Sequence, residues 1–291
     1  MKSLALYIVL ARPFTLIAPA VGILSGALMP AGRILSIKII PALLAAVLLN
    51  AASNSLNQIC DLDIDKINKP DRPLPSGKLS VKSATVFTVL IYLFSLFAAY
   101  CVNWVFFTLI LIAALITVAY SLPLVQLKKR AFLSNISIAL ARGLLLIVAG
   151  WSVNSAPNIL TPWCVGTIFA LYVLGAASTK DFSDIEGDSK YGMRTLPIVY
   201  GTEKAVRIIG PFFYIPFLLV PVGVFLGLIP KSTLPLTLLS LWGYYTFKLL
   251  SSRPEELTLE ANHVSWKHMY LILIAGQLGF ALSALVSGGF L

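Results

Sequence analysis

Most of the acidic residues fall in two short stretches. In the first, NQICDLDIDKINKPDRPLPSG over residues 57–77, Asn57, Asp61 and Asp65 recur every four residues. In the second, TKDFSDIEGDSKYGMRTLP over residues 179–197, Asp181, Asp184 and Asp188 recur at intervals of three and four. On a helix such intervals share one face, so each stretch predicts a carboxylate stripe, with Asp63 and Glu186 pointing elsewhere. Asn50 and Asn54 continue the first stripe back into an apolar segment. Gly187 weakens the helix between the last two acids of the second stripe. Only Glu203, Glu255, Glu256 and Glu260 lie outside the two clusters.

Two such stripes facing each other bring five carboxylates together, which repel unless a cation intervenes. The ligands are oxygens; neither stripe contains a histidine or a thiolate. That set selects a hard ion, Mg²⁺ first, then Mn²⁺ or Ca²⁺. Mg²⁺ is usually bound by a few carboxylates together with substrate phosphates. Basic residues for a phosphate flank both stripes: Lys66, Lys69, Arg72 and Lys78; Lys128, Lys129 and Arg130 at the end of YSLPLVQLKKR; and Lys180, Lys190 and Arg194. Acids for a metal beside bases for phosphate suit a diphosphate. An apolar surround suits a lipid tail on it, and it would shield an allylic cation from water until a second substrate traps it.

The elements that position these groups are membrane helices. Of the 291 residues 58% are hydrophobic and 12% charged, with a mean hydropathy of +0.89, against about 25% charged in soluble domains. The fold expected is all-α, a polytopic bundle of nine transmembrane helices around a central cavity. Its spans lie near 10–30, 36–60, 81–101, 103–121, 134–153, 160–181, 205–228, 232–250 and 267–289, in a single domain over 1–291. The acid clusters follow the second and sixth spans, which hints at repeated helical hairpins.

Lys and Arg collect on the N-terminal segment and loops 61–80, 122–133, 182–204 and 251–266, whereas the opposite side holds only Arg33, Lys38 and Lys231. The positive-inside rule then puts the N-terminus and both acidic clusters in the cytoplasm. The net charge of +10 reflects that orientation, and nucleic acid is not an expected partner. The first apolar stretch reads as a retained helix of a cell-membrane protein, with no signal-peptide cleavage site. Arg142 falls inside a span; it either faces the interior or snorkels to the interface. Cys60, Cys101 and Cys164 are far apart and imply neither disulfide nor metal site. His263 and His268 read as surface residues of the last loop. Among the aromatic residues Tyr120 stands out, close ahead of the LKKR run.

The chain resembles the UbiA family of intramembrane prenyltransferases. The resemblance rests on N-x3-D-x3-D at Asn57, Asp61 and Asp65 with its basic, proline-containing tail, on D-x2-D-x3-D at Asp181, Asp184 and Asp188, on the YSLPLVQLKKR motif, and on Arg12–Pro13 in the first helix. It implies two Mg²⁺ ions and an isoprenyl diphosphate such as geranylgeranyl diphosphate at Asn57, Asp61, Asp65, Asp184 and Asp188. Asp181 would bind metal or act on the acceptor. Arg72, Lys128 and Lys180 would hold phosphate oxygens, Arg12 and Tyr120 would line the same cavity, and loops 66–80 and 182–200 would cap it. Among family branches the motif spelling looks closest to enzymes that prenylate aromatic quinone precursors such as homogentisate. The alternative is the archaeal branch that alkylates geranylgeranylglyceryl phosphate, a lipid acceptor.

Two other classes compete. A CDP-alcohol phosphotransferase requires a D-G-x2-A-R core, which the sequence lacks. A cation transporter would place its acids near the bilayer midplane, whereas these lie at span ends.

Overall fold

A break in the first helix shapes everything near the acids. The structure, a computed structural model, describes residues 2–32, 36–259 and 263–291; Arg33 and Glu260 lie outside them. Helix α1 (Lys2–Ala11) stops at Arg12, because the residue ahead of a proline is driven out of the helical region. Arg12 takes φ 54° and ψ 70°, a left-handed conformation that costs a non-glycine residue about 1–3 kcal/mol. A 3-10 turn over Pro13–Leu16 then leads into α2 (Ile17–Ala31). The carbonyls freed by the break are satisfied by α3 (Ile39–Cys60). Gln58 Nε2 donates to Leu10 O at 2.7 Å, Asn54 Nδ2 to Ala11 O at 3.0 Å and Asn50 Nδ2 to Thr15 O at 3.0 Å. In a bilayer no water stands ready to do this, so the buried amides of α3 hold the break open.

Helix α4 (Leu62–Asn68) carries the chain off α3 into a loop, and α5 (Val81–Tyr100) and α6 (Trp104–Ser121) follow as a hairpin. The next span is built from α7 (Ala131–Ala139), one wide π-type turn at Leu140–Leu144, and α8 (Leu145–Ser152). Helix α9 (Leu160–Ala176) tightens into a 3-10 stretch through Phe182. Short helices α10 (Ile185–Lys190), α11 (Leu196–Tyr200) and α12 (Thr202–Ile209) precede α13 (Pro211–Phe225), α14 (Leu239–Ser252), α15 (Glu256–Leu259) and α16 (Val264–Ser287). No strand occurs among the described residues.

Eight of the helical segments among the described residues are long and apolar enough to cross a membrane. The expected span near 232–250 is a 3-10 stretch over Lys231–Leu238, with Pro235 inside it, running into the 14-residue α14.

Lipid gives helices no hydrophobic reason to associate, so close backbone packing by small residues does that work. Gly26 of α2 and Gly150 of α8 meet without side chains between them: a Cβ on Gly150 would lie 2.6 Å from Ile23 O and 2.9 Å from Gly26 Cα. Trp151, Phe169, Tyr172, Phe213, Phe217 and Phe280 fill the adjoining core. The outer wall is apolar, with Phe94, Phe97 and Leu115 exposed, as a lipid-facing surface requires.

The two histidines are not the surface residues expected. His263 is buried and its Nδ1 caps α16 through Ser265 N at 3.3 Å. His268 Nδ1 accepts a hydrogen bond from Trp242 Nε1 at 3.0 Å. His263 thus serves as a helix cap, and His268 joins α16 to α14.

Candidate active site

The first stripe survives a change of element. Helix α3 ends at Cys60 and Asp61 leaves helical geometry, yet Asp61 N still donates to Asn57 O at 2.9 Å and Asp65 N to Asp61 O at 2.7 Å. The four-residue period therefore continues, and Asn57 Nδ2 donates to Asp61 Oδ2 at 2.6 Å. Asp63 turns outward and pairs with exposed Lys66. Asp65 is buried and receives Arg72 NH1 at 2.6 Å, while the buried Lys128 Nζ pairs with Asp61 Oδ1.

The second stripe is kinked. Asp181 lies in the 3-10 stretch that ends α9, Asp184 is the cap of α10, and Asp188 N donates to Asp184 O at 3.0 Å. The discontinuity falls at Ser183–Asp184 and not at Gly187, which is helical. Gly187 serves another purpose: a Cβ there would sit 2.6 Å from Asn68 Oδ1, and its N–H donates to that oxygen at 2.8 Å. Asn68 Nδ2 also donates to Asp184 O at 3.0 Å. Glu186 is exposed and pairs with Lys190.

These contacts clasp the two motifs. Lys69 Nζ, from the loop after the first, lies 2.7 Å from Asp184 Oδ1 of the second. Asn68 joins the candidate site although neither motif singles it out. Lys69 is visible in the sequence only as one base of a basic loop, and its partner lies 115 residues away. Loop 122–130 joins the same assembly: Arg194 N donates to Lys129 O at 3.2 Å.

Charge spacing is as informative as contact. Among the described residues no three acidic side chains are gathered tightly enough to enclose a metal ion. Like charges separate, and Asp61, Asp65 and Asp184 are each neutralised by a base. Asp188 is nonetheless under the influence of acids from both motifs. Its carboxyl is pushed up to about 7, by burial first and then by Asp181, Asp184 and Asp61, with Lys180 opposing. Burial also raises Asp65, against the charge and hydrogen bond of Arg72. The donor set is all oxygen, five carboxylates and the Asn57 amide within one electrostatic neighbourhood, and it fits a hard divalent cation.

The remaining predicted residues border this chamber. Lys180 Nζ donates to Tyr120 Oη at 2.8 Å and lies 5.2 Å from the ring centre. Arg12, at the helix break, is in the field of Asp65, Asp184, Arg72 and Arg142. Arg142 lies in the π-type turn and points inward, its NH2 donating to Asn54 Oδ1 at 3.2 Å; of the two readings left open for it, the interior one holds. It lines a narrow cavity with Asn50, Ser53, Thr117 and apolar residues of α2, α3, α6 and α8.

Comparison with known proteins places this architecture. The family model that matches is the UbiA prenyltransferase family, over residues 19–272. The chain is 26% identical over 281 residues to the digeranylgeranylglyceryl phosphate synthase of Methanosphaera stadtmanae, covering 96% of this chain and 99% of that protein. A solved structure described for digeranylgeranylglyceryl phosphate synthase in membranes superposes with a TM-score of 0.74 at 26% identity, over 98% of this chain and all of that one. A UbiA homologue from Archaeoglobus fulgidus bound to GPP and Mg²⁺ shares the fold, with a TM-score of 0.77 at 21% identity, over 97% of this chain and 99% of that one.

Proposed function

The chain belongs to the UbiA prenyltransferase family, and on that premise we propose that it transfers a geranylgeranyl chain from its diphosphate to geranylgeranylglyceryl phosphate, with Mg²⁺ as cofactor. It is a multi-pass membrane enzyme. The observation that carries the acceptor is similarity over nearly the whole length to proteins named digeranylgeranylglyceryl phosphate synthase. An aromatic quinone precursor, the acceptor favoured by motif spelling, has less support. A transporter reading has less still, because the acids sit at the ends of α3 and α9 and not midway along them.

Asn57, Asp61, Asp65, Asp184 and Asp188 would hold the metal. When bound, Mg²⁺ supplies positive charge to the departing diphosphate. Lys69, Arg72, Lys128 and Lys180 hold phosphate oxygens, and the loop clasp at Asn68–Gly187 shuts water out of the chamber. The bond between the allylic carbon and diphosphate oxygen breaks with its electron pair leaving on the diphosphate. A bond from the acceptor oxygen to that carbon forms, and the hydroxyl proton passes to a carboxylate of the second stripe, where Asp181 is the buried member.

The test is Asp61→Asn and Asp184→Asn, each assayed with labelled geranylgeranyl diphosphate and a panel of acceptors. Transfer is expected to fall by roughly 10²- to 10³-fold, with the thermal unfolding midpoint in detergent unchanged. Wild-type turnover in either variant refutes the assignment, and transfer only to aromatic acceptors refutes the lipid one.

A further inference from the structure

Arg142 is a cation without an acid. It lies midway along the Ala131–Ser152 span, and among the described residues no carboxylate comes within 4.0 Å of its guanidinium, whereas Lys69, Arg72 and Lys128 each have one. Its direct partner is the neutral Asn54 amide. The titratable groups that bear on it are the phenols Tyr92, Tyr120 and Tyr270. Two like charges, Arg12 and Lys180, face the same region and feel its repulsion. The surface it leaves open faces the narrow cavity, whose wall is otherwise apolar apart from Asn50, Ser53 and Thr117. Buried charges are normally paired, and an intramembrane arginine marks a substrate path. Arg12 is also met by Asp65 and Asp184, and Lys180 by Asp181, so Arg142 is the cation of this group that an arriving anion would neutralise.

The position of Arg142 distinguishes that anion from the diphosphate. Asn54 precedes Asp61 by seven residues, about 10 Å along α3 toward the membrane interior. The guanidinium thus lies deeper than the bases paired with the acids. It is also on the side of the chamber where the apolar cavity opens. We infer that Arg142 binds the negative charge of the acceptor, and that the acceptor is an anion-bearing nucleophile, a phosphate monoester or a carboxylate. The inference rests on the prenyl-transfer reading above and adds the feature by which this site selects the second substrate. The π-type turn at Leu140–Leu144 serves to aim the side chain, as such turns commonly do at functional sites.

The experiment compares wild type, Arg142→Gln and Arg142→Lys with two acceptor pairs: geranylgeranylglyceryl phosphate against geranylgeranylglycerol, and homogentisate against its methyl ester. The expected result is that the wild type prefers one anionic acceptor over its neutral partner by roughly 10²-fold in kcat/KM. Arg142→Gln abolishes that preference, Arg142→Lys keeps part of it, and KM for geranylgeranyl diphosphate is unchanged. Which pair shows the preference identifies phosphate or carboxylate as the source of the charge. A second measurement needs no variant: wild type in excess EDTA is titrated with the anionic and neutral acceptors, and the anionic one is expected to bind more tightly without metal. Preference retained in Arg142→Gln, a rise in diphosphate KM alone, or equal binding of the charged and neutral acceptors in EDTA overturns the inference. Binding is read without turnover, so a chain that transfers to no acceptor refutes the prenyl-transfer reading while the anion result still stands.

Discussion

At the scale of single residues, Asp188 links chemistry to pH. Its carboxyl titrates near 7 in the folded protein because of burial first, then the neighbouring acids, against about 3.9 when unfolded. Between those values the folded chain holds a proton that the unfolded chain lacks. The group therefore adds stability that is fully present below about pH 4 and is lost as pH rises through 7. A metal ion demands the ionised form. Titration of the protein with Mg²⁺ at pH 6 is expected to release about one proton per site, and much less at pH 8. Calorimetry in two buffers of different ionisation enthalpy reads that number directly. The pH 6 release should vanish in Asp188→Asn; equal release at both pH values would refute the assignment. Much at this scale is legible in the sequence, because a period of four survives the change from α3 to α4 through unbroken backbone hydrogen bonds. What is not legible is partnership across the chain: Lys69 with Asp184, or His268 with Trp242. No local pattern specifies a contact that depends on how helices are packed.

At the scale of elements, close backbone crossings carry the load. Gly150→Val would drive its side chain into the α2 backbone at Ile23 O. Overpacking of this kind costs about 1–3 kcal/mol, and here the neighbour is backbone, which yields least. Thermal unfolding in detergent is expected to show a lowered midpoint for Gly150→Val. The reading is wrong if Gly150→Val unfolds at the wild-type temperature. Element existence is readable from hydropathy, and Arg12–Pro13 marks the helix break. The left-handed backbone at Arg12 is not readable, because it depends on amides from Asn50, Asn54 and Gln58 of another helix. The kink at Ser183–Asp184 is hidden for a similar reason: the spacing of the acids alone suits a straight helix equally well. Lys231–Leu238 reads as part of a span by composition, but it winds too tightly to be regular helix.

At the scale of the whole molecule, the acids, the clasp and most bases gather at one end of the bundle. The charge bias of the loops predicts that this end faces the cytoplasm, which labelling can test. In a variant with Cys60, Cys101 and Cys164 replaced by serine, Ser76→Cys and Lys231→Cys are each treated with a membrane-impermeant maleimide. In right-side-out vesicles Lys231→Cys is expected to react and Ser76→Cys to react only after permeabilisation. The opposite pattern would invert the topology.

The ion pairs Asp61–Lys128, Asp65–Arg72 and Asp184–Lys69 have a consequence for the order of events. Each base a phosphate takes leaves a carboxylate bare, and each carboxylate a cation takes leaves a base free. Neither newcomer can settle without stranding a charge unless the other arrives as well. The loops therefore act as a double lock: metal and diphosphate each raise the affinity for the other by the same factor, as reciprocity between linked sites demands. Free Mg²⁺ or bare diphosphate alone meets three carboxylates and three bases already paired with one another, and each binds more weakly than the two bind together.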